Sequence, residues 1–202
     1  MTLRTETWYT SDLHIGHRLV ANLRGFAETT DHDAEIAERW DRLVGDNDVV
    51  WVLGDISGGG RSSQLRALAW LADRPGTKHL VAGNHDGVHP MHVDAHKLLP
   101  AYLQTFASVQ QSARRKLAGR YILLSHFPYL NTYEQNARDS RFNQWKMADL
   151  GAWLLHGHIH SSQRLAKRAI HVGLDAWGLS PVSLNVIAEL IQKDRTDVAG
   201  DN

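Results

Sequence analysis

Seven side chains of metal-ligating type fall into five short groups along the sequence: Asp12 with His14, Asp55, Asn84, His126, and His158 with His160. Carboxylate, amide and imidazole donors in this mixture suit zinc, manganese or iron and disfavour copper(I). Cysteine is absent, which removes disulfides, thiolate zinc sites, iron–sulfur clusters and cysteine nucleophiles. Any metal must therefore be held by nitrogen and oxygen, and thirteen histidines are a generous supply. Asp12 and His14 stand two apart, as do His158 and His160. On an extended backbone such pairs point to one side and can grip one ion. Glycine precedes a ligand at Gly54, Gly83 and Gly157, where it lets the backbone turn sharply or approach an anion closely.

Each group lies where a predicted strand stops. Thr7–Ser11 runs into Asp12, the apolar run Asp48–Leu53 into Gly54-Asp55, Lys78–Ala82 into Gly83-Asn84, Tyr121–Leu124 into Ser125-His126, and Trp153–Leu155 into Gly157-His158. In open α/β sheets ligands bind beyond the carboxyl ends of the strands, so five strand ends can converge on one spot. The spacing of Ile36, Trp40, Leu43 and Val44 predicts an amphipathic helix capped by Asp31 or Asp33. Leu65, Leu68, Ala69 and Ala72 mark a second helix, closed by Pro75-Gly76. A mixed helix and loop stretch is expected to about Ala107, then one strand over Ser108–Leu117 with a turn at Ala118-Gly119. A hairpin over Arg164–Val172 and a terminal helix over Pro181–Lys193 complete the reading. Early alternation of strands and helices, with a strand-rich second half, predicts an α/β layered sandwich. The 202 residues suit one domain, set here at 1–193, with 194–202 a frayed tail.

Taken in order, Asp12-x-His14, Gly54-Asp55, Gly83-Asn84-His85-Asp86, His126 and Gly157-His158-x-His160 resemble the calcineurin-like metallophosphoesterase superfamily, across most of the chain. The resemblance implies a four-layer α/β/β/α sandwich of two stacked mixed sheets flanked by helices. It implies two metal ions (manganese, iron or zinc), one on Asp12, His14, Asp55 and His160, the second on Asp55, Asn84, His126 and His158. Asp55 is then the bridging carboxylate. His85 is not a ligand in that pattern; it is expected to stabilise the phosphoryl oxygens or protonate the leaving group, with Asp86 orienting it. Two metals clamp a phosphate and lower the pKa of water, which supplies hydroxide for in-line attack on phosphorus.

The remaining histidines divide. His17 lines the substrate pocket or lies on a surface loop, and His156 is expected to pack in the interior. His89, His92 and His96 recur at helical spacing, and a solvated or site-rim face is the expectation. His32, His79 and His171 carry no motif. Gly58-Gly59-Gly60 is not followed by Gly-Lys-Ser/Thr and is not a P-loop. The long segment Phe127–Lys146 leaves the site directly after His126; its Arg138 and Arg141 are candidates to contact phosphate and its aromatics, Tyr129 among them, to contact a base.

Formal net charge is zero, so no global field draws in nucleic acid or anionic lipid. No apolar run approaches the ~18 residues of a membrane span, and the first residues carry no apolar signal region, so a cytoplasmic location is expected. The expected function is hydrolysis of phosphoesters, foremost as a phosphodiesterase on small, possibly cyclic, nucleotides. A phosphomonoesterase or nuclease shares the chemistry, and a non-catalytic metal-binding scaffold is the alternative of another class.

Overall fold

A computed structural model describes residues 5–117, 119–133 and 140–199, with the side chains of 194–199 set aside. The chain forms two five-stranded mixed sheets flanked by helices. In the first sheet β1 (Thr7–Thr10), β2 (Val49–Val52), β3 (Thr77–Val81) and β4 (Ser108–Gln110) run parallel, and β10 (Val182–Ser183) lies antiparallel along β1. The second sheet has the order β5 (Ser112–Leu117), β6 (Arg120–Ser125), β7 (Trp153–His156), β9 (Ala169–His171), β8 (Leu165–Ala166), with β6, β7 and β9 parallel.

Alternation along β2 explains the layering. Val50 and Val52 face one way, into a core with Ile36 and Trp40 of α2 (Thr29–Leu43) and Ala67, Leu68 and Leu71 of α3 (Arg61–Ala72). Trp51 and Leu53 face the other way and meet Ile122, Leu124, Leu155 and Ile170 of the second sheet. A continuous apolar run is what a strand buried on both faces requires. Each fully buried side chain of the size of Ile36 or Leu71 contributes about 1.5–3 kcal/mol of transfer free energy. Ile187 and Ile191 of α5 (Leu184–Ala199) close the space between the sheets.

Several expected elements are corrected. Ser108–Leu117 is two strands, not one: β4 pairs with β3 in the first sheet, and β5 pairs with β6 in the second. The chain passes from one sheet to the other at Gln111, where the strand is interrupted. The terminal helix does not begin at Pro181. Val182 is buried between the sheets and pairs with Tyr9, and the helix starts at Leu184 and runs beyond the expected boundary at residue 193. On α2, neither Asp31 nor Asp33 is the cap; the helix follows Glu28, Asp31 sits in its first turn, and Asp33 accepts the Gly16 N–H at 2.9 Å. On α3 the buried face is Gln64, Ala67, Leu68 and Leu71, while Leu65 is 42% exposed. Gln64 can be inside because its Oε1 accepts hydrogen bonds from the Gly87 N–H and the Tyr102 hydroxyl. The Ala118-Gly119 turn falls partly outside the described residues.

The parallel order brings the carboxyl ends of β1, β2 and β3 beside those of β6 and β7. A parallel bridge between Ser11 and Gly173 joins the two sheets at that edge, and the Gly157 N–H donates to the His126 carbonyl.

Candidate metal centre

The backbone of the ligand loops is unusual. Asp12, His14, Asp55, His158 and His160 have φ of 59°, 49°, 56°, 75° and 44°, a region that costs a non-glycine residue about 1–2 kcal/mol each. The paired ligands therefore do not share a side through extended backbone, as their spacing suggested; left-handed turns aim them. Such strain concentrates where the surrounding structure fixes a functional geometry. The turns lean on two glycines. Gly54 has φ +92°, and a Cβ there would lie 2.5 Å from His126 Nδ1; at Gly157 it would strike Ser11 Oγ and come within 2.6 Å of Asp12 Oδ2.

Side chains from both sheets converge. His14 Nε2 lies 3.1 Å from His160 Nε2 and 3.8 Å from Asp55 Oδ2. His160 Nε2 is 3.8 Å from Asp12 Oδ1. On the other side of Asp55, its Oδ2 is 3.5 Å from His126 Nε2. That nitrogen is 3.1 Å from Asn84 Oδ1 and 3.2 Å from His158 Nδ1. Asp12, His14 and His160 form one triad of donors and Asp12, Asp55 and His126 another, each with its atoms within 4.8 Å.

This donor set fits metal ions. Burial first, then the charges of Asp86 and Asp12, push the Asp55 carboxyl well above the usual carboxylate range; a cation beside it reverses that penalty. Burial also holds His14 and His126 below the ordinary imidazole range, which keeps them in the neutral form that ligates. The paired imidazole nitrogens stand 3.1–3.2 Å apart, close enough for both members of a pair to bind one cation. The His126 Nδ1–H donates to the Leu53 carbonyl at 2.7 Å, leaving Nε2 for the centre.

Residues without a sequence motif hold this arrangement. The Arg24 guanidinium, at the end of α1 (Arg18–Leu23), donates to both carboxylate oxygens of Asp175 at 2.9 Å and to the carbonyls of Asp12 and Leu13. Asp175 in turn faces His160 Nδ1 at 3.2 Å. Buried His171 brings Nε2 to 3.9 Å from Asp12 Oδ2 and stacks on His156. Arg24 and Asp175 are 151 positions apart, and no periodicity in the sequence pairs them. The bias of glycine toward ligand-bearing turns could have drawn attention to Gly173, and so to its neighbours.

Of the other expected site residues, His85 is beside the centre. Its Nε2 is 3.9 Å from Asp55 Oδ2, its backbone N–H donates to Asp55 Oδ1 at 2.8 Å, and its ring is partly exposed. Asp86 does not orient it. The buried Asp86 carboxylate accepts backbone N–H groups of Asp55, Ile56 and Gly83 at 2.9, 3.1 and 2.8 Å, so it fixes two ligand loops. His17 lies at the rim, its ring 5.4 Å from that of His14. Tyr129 is corrected: it is buried against Leu154 and Ala169, and its hydroxyl donates to the Ala152 carbonyl, which leaves nothing to contact a substrate. Phe142 takes its place beside the centre, 5.2 Å from both the Phe127 and His158 rings, with exposed Arg141 over its face at 4.5 Å. Arg138 lies outside the described residues.

His156 is buried, as expected, with its Nε2 3.1 Å from the Tyr133 hydroxyl. The row of His89, His92 and His96 is not one helical face, because α4 (Ala95–Tyr102) begins after the first two. His89 is buried against Phe127 and Trp145, while the His92 Nε2–H donates to the Asn84 carbonyl at 3.0 Å.

Residues 6–172 match the family model described as calcineurin-like phosphoesterase, and the chain belongs to that family, whose chemistry is metal-dependent hydrolysis of phosphoesters. It is 47% identical over 186 residues to the Gene 66 protein of Mycobacterium phage L5, covering 86% of this chain and 88% of that protein. The Gene 66 protein of Mycobacterium phage D29 is 48% identical, covering 86% and 89%. An uncharacterized protein of Methanocaldococcus jannaschii is 23% identical over 96% of each chain. Among solved structures, a protein of unknown function from Aquifex aeolicus shares the fold with a TM-score of 0.67 at 22% identity, covering 93% of this chain and 100% of that one. No helix among the described residues is long and apolar enough to cross a membrane.

Proposed function

We propose that the protein is a dinuclear phosphodiesterase acting on small nucleotides. The observation that carries this reading is Asp55, whose Oδ2 faces imidazoles on both sides, His14 at 3.8 Å and His126 at 3.5 Å. Asp12, His14, Asp55 and His160 would hold one ion; Asp55, Asn84, His126 and His158 would hold the other. Bound there, manganese, iron or zinc supplies positive charge against the phosphoryl oxygens and acidifies water for attack on phosphorus.

The chain's own groups do the rest. His85 stands at the open side of the ligand set. Burial, followed by the charges of His126, His17 and His160, holds it below the ordinary imidazole range. Near neutral pH its ring is uncharged and donates an N–H to a phosphoryl or leaving oxygen. Arg141, lying over the Phe142 ring, would offer its guanidinium plane to a nucleobase or its charge to phosphate, and His17 would contact the substrate at the rim.

Hydrolysis of bis-p-nitrophenyl phosphate with added Mn²⁺ tests this reading. Turnover should be measurable and should vanish in Asp55→Asn and in Asn84→Ala; undiminished turnover in both would overturn it. A panel of 2′,3′- and 3′,5′-cyclic nucleotides, mononucleotides and single-stranded DNA separates the phosphodiesterase reading from a phosphomonoesterase or a nuclease.

A further inference from the structure

We infer that the cleft beside His85 is a subsite for a second phosphate of the substrate, at a distance from the one being cleaved. The inference rests on the phosphoesterase reading and narrows its substrate to molecules carrying two phosphate groups. The cleft has a volume of about 350 Å³ and runs from Asn84 and His85 to Arg61, Gln64 and Lys97. Three features equip it for an anion.

Arg61 lines it, and its guanidinium makes no ion pair or hydrogen bond among the described residues. An arginine is the side chain whose planar fork matches phosphate oxygens. Gln64 also lines it and is only 4% exposed. Its Oε1 already accepts the Gly87 N–H at 2.6 Å and the Tyr102 hydroxyl at 2.6 Å. A backbone N–H can only donate, so the amide orientation is fixed, and among the described residues Nε2 carries no hydrogen bond and stays available as a donor at the cleft wall. Finally, α3 starts here behind Gly60 with no side-chain cap, so its first-turn N–H groups add partial positive charge. Gly59 and Gly60 form that wall without side chains, and Gly60 opens on empty space. Lys97 and Asp94 also line the cleft and pair with each other at 2.8 Å, so the Asp94 carboxylate is offset by its own cation. The centre and this cleft meet at Asn84 and His85, so one molecule can occupy both.

Equilibrium binding to Mn²⁺-loaded protein tests the inference with three probes: AMP, ADP and adenosine 3′,5′-bisphosphate. At least one of the two bisphosphorylated probes should bind about tenfold more tightly than AMP. Arg61→Ala should reduce that ratio to within about twofold, and Arg61→Lys should restore part of it. Equal affinity of the three probes for the wild type, or a ratio that survives Arg61→Ala, overturns the subsite. Turnover of bis-p-nitrophenyl phosphate by the wild type tests the phosphoesterase reading separately: turnover without any preference among the probes removes the subsite and leaves the activity. An Arg61-dependent preference without turnover keeps the subsite and removes the activity.

Discussion

The His160 Nδ1–H donates to the Asp175 carboxylate at 3.2 Å, and the same carboxylate is gripped by Arg24 at 2.9 Å. His160 is the most exposed of the candidate donors in the two triads, with 38% of its side chain open to solvent. A surface imidazole has rotamer freedom, and this carboxylate removes it. Burial disfavours the imidazolium of His160, but the Asp175 hydrogen bond and the charges of Asp12 and Asp175 outweigh it and raise its pKa above the ordinary value.

Removal of the carboxylate should therefore act on metal retention. Asp175→Asn is expected to weaken Mn²⁺ binding by about 10–100-fold, the usual cost of losing such a partner. Titration calorimetry or the Mn²⁺ electron paramagnetic resonance signal measures this directly. Unchanged affinity would show that packing alone orients His160.

Asp86 should behave as a structural residue. In Asp86→Asn at most two of the three backbone N–H groups keep an acceptor, and the new amide N–H₂ faces a donor. The expected loss is about 1–3 kcal/mol of folding stability for the unpaired group, read by urea denaturation. The pH profile of kcat in the surviving folded enzyme should keep its shape, whereas a partner of His85 would shift it.

Gly157→Ala places a methyl group against Ser11 and Asp12. Overpacking of this kind costs about 1–3 kcal/mol, and here the displaced atoms include a ligand oxygen. Lowered thermal stability should come together with weakened metal binding. A stable variant with native metal affinity would mean that the seam can open without cost.

His89 sets a pH dependence of stability. Burial, and then the charges of His126 and His92, lower its pKa to about 4. The folded state thus resists protonation that the unfolded chain accepts near pH 6.5. A depressed folded pKa contributes stability that is present above the unfolded value and lost as pH falls toward the folded one. For this group the loss should reach about 2 kcal/mol by pH 5. Urea titrations of chelator-treated protein at pH 7 and pH 5 measure it, and His89→Gln should flatten the difference by that amount.

The sequence displayed the candidate donors and hid what holds them. Asp12, Asp55, Asn84 and His158 were legible because glycine and strand ends flank them within a few residues. The burial of both faces of β2 was legible in an unbroken apolar run. The break at Gln111 was not, since a change of sheet leaves the two-residue alternation intact. Gln64 carries no local signal of burial, because an amide goes inside only where partners such as Gly87 and Tyr102 satisfy it. Tyr129 misled for the converse reason: an aromatic next to a ligand in sequence turned its ring into the interior. Arg24, Asp175 and His171 carry no local pattern, and tertiary proximity alone gives them their roles.

The Ser11–Gly173 bridge gives the seam between the sheets a further meaning. Asp12, Asp55 and Asn84 come from one sheet and His126, His158 and His160 follow strands of the other, so neither half of the sandwich owns a complete set of donors. Ions held across that line would rivet the two layers together. Occupancy of the centre would then report whether the halves are docked, and stripping the ions should loosen the joint between the layers before it disturbs either layer itself.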